Sequence, residues 1–493
     1  MSSKPFPPIN PETRLYIDGK LVPAASGKTY DNINPADCSV AGVCADAGRE
    51  DMEQAIAAAR RAFDESDWST NHAFRLKCLK QLRDAMKAHA DELRYHIVAE
   101  TGAPLGLTYG PQCDTPITFM DWPIEFLENF EWDRELSTVN FVGIPSKRLV
   151  WKEAAGVVAA ITPWNFPLQI NLAKIIPALA AGCTVILKPA PDTPWTATFI
   201  GRMVAEHTDI PAGVFNVVTS QDPAELGDML TTDPRVDVVS FTGSTGVGKH
   251  IMSRAAATVK KVFLELGGKS AHIILDDADM GLAAFMSIGV CFHAGQGCAI
   301  TTRMLAPRAH YDEIVATAKS VFDSIKTGDP MAKDQIMGPL VNKRQQQRVL
   351  GYIEQGKKEG ARLVCGGGVP EGLEKGCYVQ PTIFADVTND MTIAQEEIFG
   401  PVLSIIPYET EEDAIRIANE SIYGLSGQIF SKDQDRALRV ARRIRTGTMN
   451  VNGAAFFSPD APFGGYKQSG VGREMGPEGF EEYLQSKTVA IPG

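Results

Sequence analysis

The sequence predicts an α/β protein, with a doubly wound parallel sheet in its first half and a further α/β region downstream. Two observations support this. From Gly156 onward, short β-rich apolar runs alternate with segments long enough for crossover helices. Further on, Gly and Pro clusters near 366–368 and 462–465 separate the elements. The length of 493 residues is enough for two or three domains, each with its own core.

The first elements are predicted to be a hairpin followed by two helices. The hairpin is predicted at L-Y-I-D-G-K-L-V, residues 15–22, because Asp18-Gly19 is a typical two-residue turn. Met52, Ile56 and Phe63 recur at helical spacing. A second stripe with the same spacing consists of Leu79, Leu82, Met86, Leu93 and Ile97.

Strands of the parallel sheet are predicted next, because strands buried on both faces are continuous apolar runs. They are expected at G-V-V-A-A-I, C-T-V-I-L-K, V-F-N-V-V, V-D-V-V-S-F and V-F-L-E-L. In the second region, strands are expected at A-H-I-I-L, P-V-L-S-I-I-P-Y and T-G-T-M-N-V-N.

Composition argues against several classes of partner. The formal net charge of -12 disfavours nucleic acid and anionic membranes, and no stretch approaches the length of a membrane span. Because the stretch M-S-S-K-P-F-P-P-I-N-P also has no apolar core of signal-peptide length, we expect a cytoplasmic location. The nine cysteines form no C-x-x-C pair, which indicates reduced thiols. No H-E-x-x-H motif is present, so we expect no metal.

One stretch, V-V-S-F-T-G-S-T-G-V-G-K-H-I at 238–251, comes close to a P-loop. Gly243, Gly248 and Lys249 fit that pattern, but His250 stands where Ser or Thr would hold Mg²⁺. The remaining signal is a strand, a glycine turn and a helix N-terminus, which suits any phosphate. A nucleotide kinase or ATPase is therefore a rival hypothesis, as is a binding protein without catalysis.

Three residues are candidates for chemistry. Cys298, in G-Q-G-C-A, is a possible nucleophile, although a lone cysteine is more often a structural thiol. Glu265, in F-L-E-L-G-G-K, is a possible general base if it is buried, or else a strand-edge residue paired with Lys269. Asn165, between two prolines, is a possible oxyanion donor or a turn residue.

At these residues the chain resembles the aldehyde dehydrogenase superfamily. The resemblance is carried in order by I-T-P-W-N-F-P, L-K-P-A-P-D-T-P, F-T-G-S-T-G-V-G, L-E-L-G-G-K-S, G-Q-G-C, E-E-I-F-G-P-V and P-F-G-G-Y-K-Q-S-G-V-G-R-E. It implies a Rossmann-like cofactor domain (1–131 and 155–263), an α/β catalytic domain (264–477) and a small β oligomerisation extension (132–154 and 478–493). A homodimer or homotetramer is expected.

The resemblance also implies a mechanism. Cys298 attacks an aldehyde, and Asn165 with the Cys298 backbone N–H holds the oxyanion of the thiohemiacetal. Hydride then passes to the nicotinamide, and a water deprotonated by Glu265 hydrolyses the thioester. Glu474 matches the family's second carboxylate, and Lys174 fits a supporting place beside it.

The cofactor is expected to be NAD, with NADP possible because Pro191 replaces a glutamate that many NAD-preferring members have. Ser244 is expected to bind phosphate, and Glu397 the nicotinamide ribose. The cofactor residues that the resemblance implies are Ile161, Thr162, Pro163, Trp164, Lys188, Gly243, Ser244, Gly248, Leu266, Glu397 and Phe399.

The substrate is expected to be a medium-length or bulky apolar aldehyde, terpenoid or aromatic. Ala173 replaces a bulky aromatic of several short-aldehyde members, which implies a wide apolar tunnel. Short aliphatic or betaine-type aldehydes are the alternative. The expected tunnel residues are Phe166, Gln169, Ile170, Ala173, Phe292, Phe457 and Phe463, with the segment 119–130 adding aromatic walls or packing on the core.

Overall fold

The computed structural model describes residues 9–493, which form four β-sheets and the helices around them. The strands are β1 Leu15–Ile17, β2 Lys20–Val22, β3 Thr29–Ile33, β4 Val40–Ala45, β5 Asp133–Phe141, β6 Ile144–Ala154, β7 Val157–Ile161, β8 Thr184–Lys188, β9 Phe215–Val217, β10 Val238–Thr242, β11 Lys261–Glu265, β12 Ala271–Ile274, β13 Arg303–Pro307, β14 Arg362–Cys365, β15 Thr382–Ala385, β16 Val402–Tyr408, β17 Gly427–Phe430, β18 Asn450–Val451, β19 Gly470–Val471 and β20 Leu484–Pro492.

The α-helices lie on both faces of the two larger sheets. They are α1 Arg49–Glu65, α2 His72–Ala88, α3 Ala90–Thr101, α4 Leu105–Thr108, α5 Asp114–Phe119, α6 Asp121–Glu128, α7 Pro167–Ala181, α8 Pro194–His207, α9 Pro223–Thr232, α10 Thr245–Ala255, α11 Met280–Phe285, α12 Tyr311–Asp323, α13 Lys343–Lys358, α14 Thr392–Gln395, α15 Glu411–Asn419, α16 Gln434–Ala441 and α17 Gly476–Glu481. Short 3₁₀ segments occur at Ala256–Thr258, Met286–Gly295, Arg308–His310 and Lys467–Ser469.

The first sheet has the order β19-β11-β10-β7-β8-β9-β1-β2, and its five central strands are parallel. The chain runs from β7 outward through β8 and β9, then returns to the other side of β7 for β10 and β11. The strand order therefore reverses between β7 and β10. In such sheets ligands bind at this switch point, beyond the carboxyl ends of the strands.

Two apolar cores cover the faces of this sheet, as expected for parallel strands. Along β7, Val158 and Ala160 face one core, whereas Val157 and Ala159 face the other. All five runs predicted as parallel strands are confirmed as β7 to β11. The predicted hairpin is confirmed as β1 and β2, with Asp18 and Gly19 at positive φ.

The prediction of two early helices was wrong in one respect. The second apolar stripe is divided between α2 and α3, which meet at His89 with φ -110° and ψ 13°. The side chain of His89 lies 2.9 Å from the carbonyl of Ala85 through Nδ1. The apolar spacing continues across this break, so the periodicity alone did not reveal it.

The second sheet has the order β14-β15-β16-β13-β12-β17-β18, and its three predicted strands are confirmed as β12, β16 and β18. The short strand β19 comes from the same half of the chain but pairs with β11 of the first sheet. The third sheet, β20-β6-β5, joins the two predicted extension segments. Among the described residues, no helix is long and apolar enough to cross a membrane.

Candidate active site

A cavity of about 220 Å³ lies at the switch point of the first sheet. It is walled by residues that follow the carboxyl ends of β7, β10 and β11, together with loops of the second α/β region. Its lining residues are Pro163, Trp164, Asn165, Thr242, Gly243, Ser244, Leu266, Gly267, Cys298, Gln345, Arg348, Glu397 and Phe399. The fold thus brings the predicted nucleophile, the predicted oxyanion donor and seven of the predicted cofactor residues to the lining of one cavity.

The loop that presents Cys298 has an unusual backbone. His293, Ala294 and Gly295 are consecutive residues in the left-handed region, with φ values of 47°, 53° and 74°. A Cβ at Gly295 would lie 2.1 Å from the carbonyl oxygen of Gly400. Left-handed non-glycine residues persist where the surroundings enforce them, often at functional sites. Here the packing of Gly295 against the loop that follows Glu397 enforces this backbone conformation.

The Cys298 thiol is half-buried, and several carboxylates lie near it. Burial, with a smaller contribution from the nearby Glu265, Glu397 and Glu474, raises the pKa of Cys298 to about 12, and the backbone N–H of Ala299 opposes this rise. The thiol is consequently protonated at neutral pH in this state. A base, or a positive charge brought by a ligand, is needed to form the nucleophilic thiolate.

Glu265 ends β11 and is buried, with no hydrogen-bond partner for its Oε2 among residues 9–493. The alternative pairing with Lys269 does not form, since Nζ of Lys269 also lacks a partner within the described chain. Burial raises the pKa of Glu265 well above its usual range, and the neighbouring Glu474 adds to this rise. A buried carboxylate with an unoccupied oxygen and a raised pKa is suited to accept a proton.

Asn165 is buried in the turn after β7, and its amide points towards the Cys298 loop. Nδ2 donates a hydrogen bond of 2.9 Å to the carbonyl of Gln296. The backbone carbonyl of Asn165 accepts a bond of 3.0 Å from Gln112 Nε2. The first contact orients the side-chain amide, and the second fixes the backbone of the turn. The second hydrogen on Nδ2 has no partner among residues 9–493, so it is available to a ligand oxygen.

Lys174 and Glu474 form a buried ion pair behind Glu265. Lys174 Nζ also donates to Ser240 Oγ at 2.8 Å, and Thr242 Oγ1 donates to Glu474 at 3.4 Å. Phe463 and Glu474 exchange two backbone hydrogen bonds of 2.7 Å. The predicted second carboxylate is thereby tied to a residue predicted to line the tunnel.

The carboxylate of Glu397 lies against bare backbone. Oε1 accepts a 2.9 Å hydrogen bond from the backbone N–H of Gly268, and a Cβ at Gly267 would lie 2.4 Å from Oε2. A Cβ at Gly268 would lie 2.5 Å from the carbonyl oxygen of Cys298. Only glycine at these two positions permits so close an approach. Burial raises the pKa of Glu397 to about 7.

Sequence reasoning missed four residues of this cavity: Thr242, Gly267, Gln345 and Arg348. Gln345 donates to the carbonyl of Phe399 at 2.8 Å, and Arg348 donates to the carbonyl of Glu397 at 2.7 Å. Both side chains are on α13. Thr242 and Gly267 lie within the quoted motifs F-T-G-S-T-G-V-G and L-E-L-G-G-K-S but were given no role there, whereas nothing in the sequence of α13 marks Gln345 and Arg348.

The near P-loop forms the turn between β10 and α10. Ser244 is the N-cap of α10, and its hydroxyl accepts a bond of 3.4 Å from the N–H of Val247. Gly248 lies outside the cavity lining and packs on Leu266, where a Cβ would clash at 2.5 Å. His250 lies 3.3 Å from Asp228, so it points away from the turn. The N-terminal N–H groups of α10 remain available to an anion.

The remaining predicted cofactor residues lie at the same edge of the sheet but outside the cavity lining. Ile161 ends β7, and Thr162 follows it with its buried Oγ1 unpaired among the described residues. Lys188 ends β8, and burial lowers its pKa to about 8. Asp192, beyond Pro191, accepts a 2.7 Å bond from Asn342.

These residues fit a dinucleotide. The N-terminus of α10 suits a pyrophosphate, Glu397 suits ribose hydroxyls, and Trp164 and Phe399, whose rings lie 5.3 Å apart, suit a flat ring. Across residues 9–493, no three His, Cys, Asp or Glu side chains form a group that would hold a metal ion.

A second, apolar cavity of about 40 Å³ lies against α7. Two predicted tunnel residues, Gln169 and Ala173, line it. Its lining residues are Pro116, Phe119, Met120, Trp122, Pro123, Gln169, Leu172, Ala173, Ile176, Pro177, Pro459, Met475, Gly476 and Phe480. None of these described residues carries a charge. From the segment 119–130, Phe119 and Trp122 face this cavity, whereas Ile124 and Leu127 are buried in the core.

The other predicted tunnel residues form aromatic contacts nearby. Phe166 stacks on Phe292 with ring centroids 6.4 Å apart. The ring centroid of Phe457 lies 5.6 Å from that of Phe119 and 6.1 Å from that of Phe463. Ile170 is half-buried on the same helix as Ala173.

Comparison with known proteins gives consistent matches over nearly the whole chain. The Aldehyde dehydrogenase family model matches residues 21–489. A 3-succinoylsemialdehyde-pyridine dehydrogenase of Pseudomonas sp. is 45% identical over 479 residues, covering 96% of this chain and 98% of that protein. Betaine aldehyde dehydrogenase of Staphylococcus aureus, solved with NAD+, has TM-score 0.93 and 38% identity, covering 97% and 94%. A mutant aldehyde dehydrogenase AldC of Pseudomonas syringae, solved with NAD+ and octanal, has TM-score 0.93 and 37% identity, covering 98% of each chain.

Proposed function

Since the chain belongs to the aldehyde dehydrogenase family and is an NAD-dependent enzyme, we propose that it oxidises a medium-length or bulky apolar aldehyde, terpenoid or aromatic, to the carboxylate. We infer this substrate class from the uncharged, mainly apolar lining of the cavity against α7. Two relatives support it: one is named for a pyridine-bearing semialdehyde, and the other was solved with octanal.

The proposed reaction begins at Cys298. The Cys298 thiol releases its proton to solvent, which the positive charge that NAD would bring favours, and the thiolate sulfur then forms a bond to the carbonyl carbon as the carbonyl double bond opens and its oxygen takes up the electron pair. The free hydrogen of Asn165 Nδ2 and the backbone N–H of Cys298 stabilise that oxygen, because fixed donors in a buried site need no reorganisation as the charge develops. NAD, when bound, supplies the hydride acceptor.

Glu265 then acts as the general base for hydrolysis. Its unpaired Oε2 removes a proton from a water molecule that attacks the Cys298 thioester, releasing the carboxylate and the free thiol. The neighbouring ion pair of Glu474 and Lys174 provides a second carboxylate that can pass the proton outward. We assign Cys298, Glu265 and Asn165 as catalytic residues on this basis.

A burst experiment tests these roles. With Glu265→Gln, one equivalent of NADH per site is expected to form at nearly the wild-type rate, after which turnover stops because the thioester is not hydrolysed. Cys298→Ala is expected to form none. Cys365→Ala is the matched control, since Cys365 is also half-buried but lies in β14. A full steady-state rate with Cys298→Ala would refute the assignment.

An aldehyde series tests the substrate class. Each methylene buried in an apolar cavity contributes about 0.8 kcal/mol, so kcat/KM is expected to rise about fourfold for each of the first two or three carbons added to acetaldehyde, and octanal is expected to keep that gain. Betaine aldehyde represents the alternative substrate class, because aromatic side chains also bind quaternary ammonium groups. Higher kcat/KM for betaine aldehyde or acetaldehyde than for octanal and benzaldehyde would overturn the proposal.

We propose that the enzyme uses NADP beside NAD, because Asp192 is held by Asn342 and Pro191 carries no charge that would repel a phosphate. The ratio of the kcat/KM values for the two cofactors tests this.

The expected domain division is kept as a proposal, as is a cytoplasmic location, which cell fractionation tests. A dimer or tetramer is proposed because β5 and β20 are open edges and Phe141 is 76% exposed; light scattering tests it.

A further inference from the structure

Two cysteines that take no part in the proposed reaction lie in contact. The sulfur atoms of Cys38 and Cys377 are 3.5 Å apart, although the residues are 339 positions apart in sequence. Cys38 is half-buried in the turn between β3 and β4, and Cys377 is buried in the turn before β15. The contact therefore joins the β3–β4 hairpin, called the hairpin below, to the second α/β region.

Backbone hydrogen bonds hold the two turns in register. The N–H of Cys377 donates to the carbonyl of Pro35 at 2.9 Å, and the N–H of Cys38 donates to Asn34 at 2.8 Å. Cys38 has φ 61°, a left-handed conformation that is rare for a residue with a side chain. The sulfur atoms meet as a result of this fixed geometry, and a disulfide needs them to approach by roughly another 1.5 Å.

The pairing is specific to these two cysteines. Cys44, Cys113 and Cys183 are buried and contact oxygen atoms: Thr219 Oγ1 at 3.3 Å, the Ala90 carbonyl at 3.7 Å and the Tyr483 carbonyl at 3.3 Å. Within residues 9–493, no other pair of sulfur atoms lies within hydrogen-bonding distance. Contact between a half-buried thiol and a buried one is the arrangement in which one sulfur meets an oxidant and the other resolves the product.

We infer that Cys38 and Cys377 form a thiol–disulfide modification site, which a peroxide-class oxidant converts to a disulfide between the hairpin and the second α/β region. The sulfur of Cys38 attacks the peroxide oxygen, so an S–O bond forms, the O–O bond breaks and one water leaves. The Cys377 sulfur then attacks the Cys38 sulfur, so an S–S bond forms, the S–O bond breaks and a second water leaves. Two thiols are oxidised and one peroxide is reduced to two waters.

The site has a structural route to the active-site loop. The carbonyl of Cys377 accepts a 2.9 Å bond from Leu340, and the next residue, Val341, donates to Gln296 Oε1 at 2.9 Å. Gln296 in turn accepts the hydrogen bond of Asn165. A disulfide anchors the segment 339–341 to the hairpin and closes a very long loop in the unfolded chain, which stabilises the folded protein.

Burial raises the pKa of the Cys377 thiol to about 12, with the adjacent Cys38 adding to the rise and Lys343 opposing it. This thiol is a poor first target for peroxide. The half-buried Cys38 is therefore expected to react first.

The test uses full-length protein with Cys298→Ala, so that the nucleophile does not consume oxidant. Hydrogen peroxide is added, remaining thiols are alkylated, and peptides are mapped without reduction. We expect one cross-linked peptide pair holding Cys38 and Cys377, two fewer free thiols, a thermal midpoint higher by a few degrees, and reversal by dithiothreitol. Adding Cys38→Ser or Cys377→Ser is expected to abolish all of these, whereas Cys365→Ser changes none.

Other results would overturn the proposed disulfide between Cys38 and Cys377. Complete alkylation of both cysteines after peroxide treatment overturns it, as does cross-linking of either one to a different cysteine. A midpoint shift that survives in Cys38→Ser would assign the stabilisation to another site. These results are independent of the proposed dehydrogenase reaction, because neither cysteine lines the cavities described above.

Discussion

Replacing Asn165 with alanine isolates the proposed oxyanion donor. The substitution removes Nδ2, which donates to Gln296 at 2.9 Å and has one further hydrogen free beside Cys298. Loss of one such donor costs about 2.7–4 kcal/mol in the transition state, so kcat is expected to fall about 10²–10³-fold. The lost bond to Gln296 is a separate effect, worth ~1 kcal/mol of the free energy of unfolding.

The assay is NADH formation from octanal at saturating aldehyde and NAD, with thermal unfolding of each variant followed in parallel. Asn216→Ala is the matched control. Asn216 is also buried and its side chain makes two hydrogen bonds, to Gly213 at 2.8 Å and from Asp18 at 3.0 Å, but it lies on β9 away from the cavity. It is expected to lose stability and keep kcat. An unchanged kcat in Asn165→Ala would refute the oxyanion role.

Three further predictions follow from the same geometry. Because burial raises the pKa of Glu265, more of it is protonated at neutral pH, so the wild-type kcat should rise with pH. The thioester left after the NADH burst of Glu265→Gln should decay slowly and without that pH limb, and a decay that keeps the limb would assign it to another group. Ala173→Phe should raise the KM of octanal by about 10–100-fold by filling space for two or three methylenes, while leaving that of acetaldehyde unchanged. Arg303→Met orphans the Lys269, Ile417 and Ala418 carbonyls, so the free energy of unfolding in urea should fall by at least ~3 kcal/mol; a loss below ~1 kcal/mol would contradict this.

Much of the fold was predictable because its signals are local. A run such as G-V-V-A-A-I is apolar throughout because it forms a strand that helices cover on both faces. All five parallel strands of the first sheet were predicted from such runs. The break at His89 was missed because the helical period continues through it. Strands β13, β15 and β17 were missed because no simple pattern sets them apart from the loops around them.

The sequence by itself determined which residues were chemically able to act: Cys298, Glu265 and Asn165 were identified from residue type, neighbours and the order of the motifs. Only the tertiary structure decided that Asn165 meets the Cys298 loop, that Glu265 is unpaired with Lys269, and that α13 closes the cavity. The physical reason is that these contacts depend on sheet order, register and loop packing. Those arise from interactions between segments that are far apart in the sequence, as in the hydrogen bond from Asn165 to Gln296, which spans 131 positions.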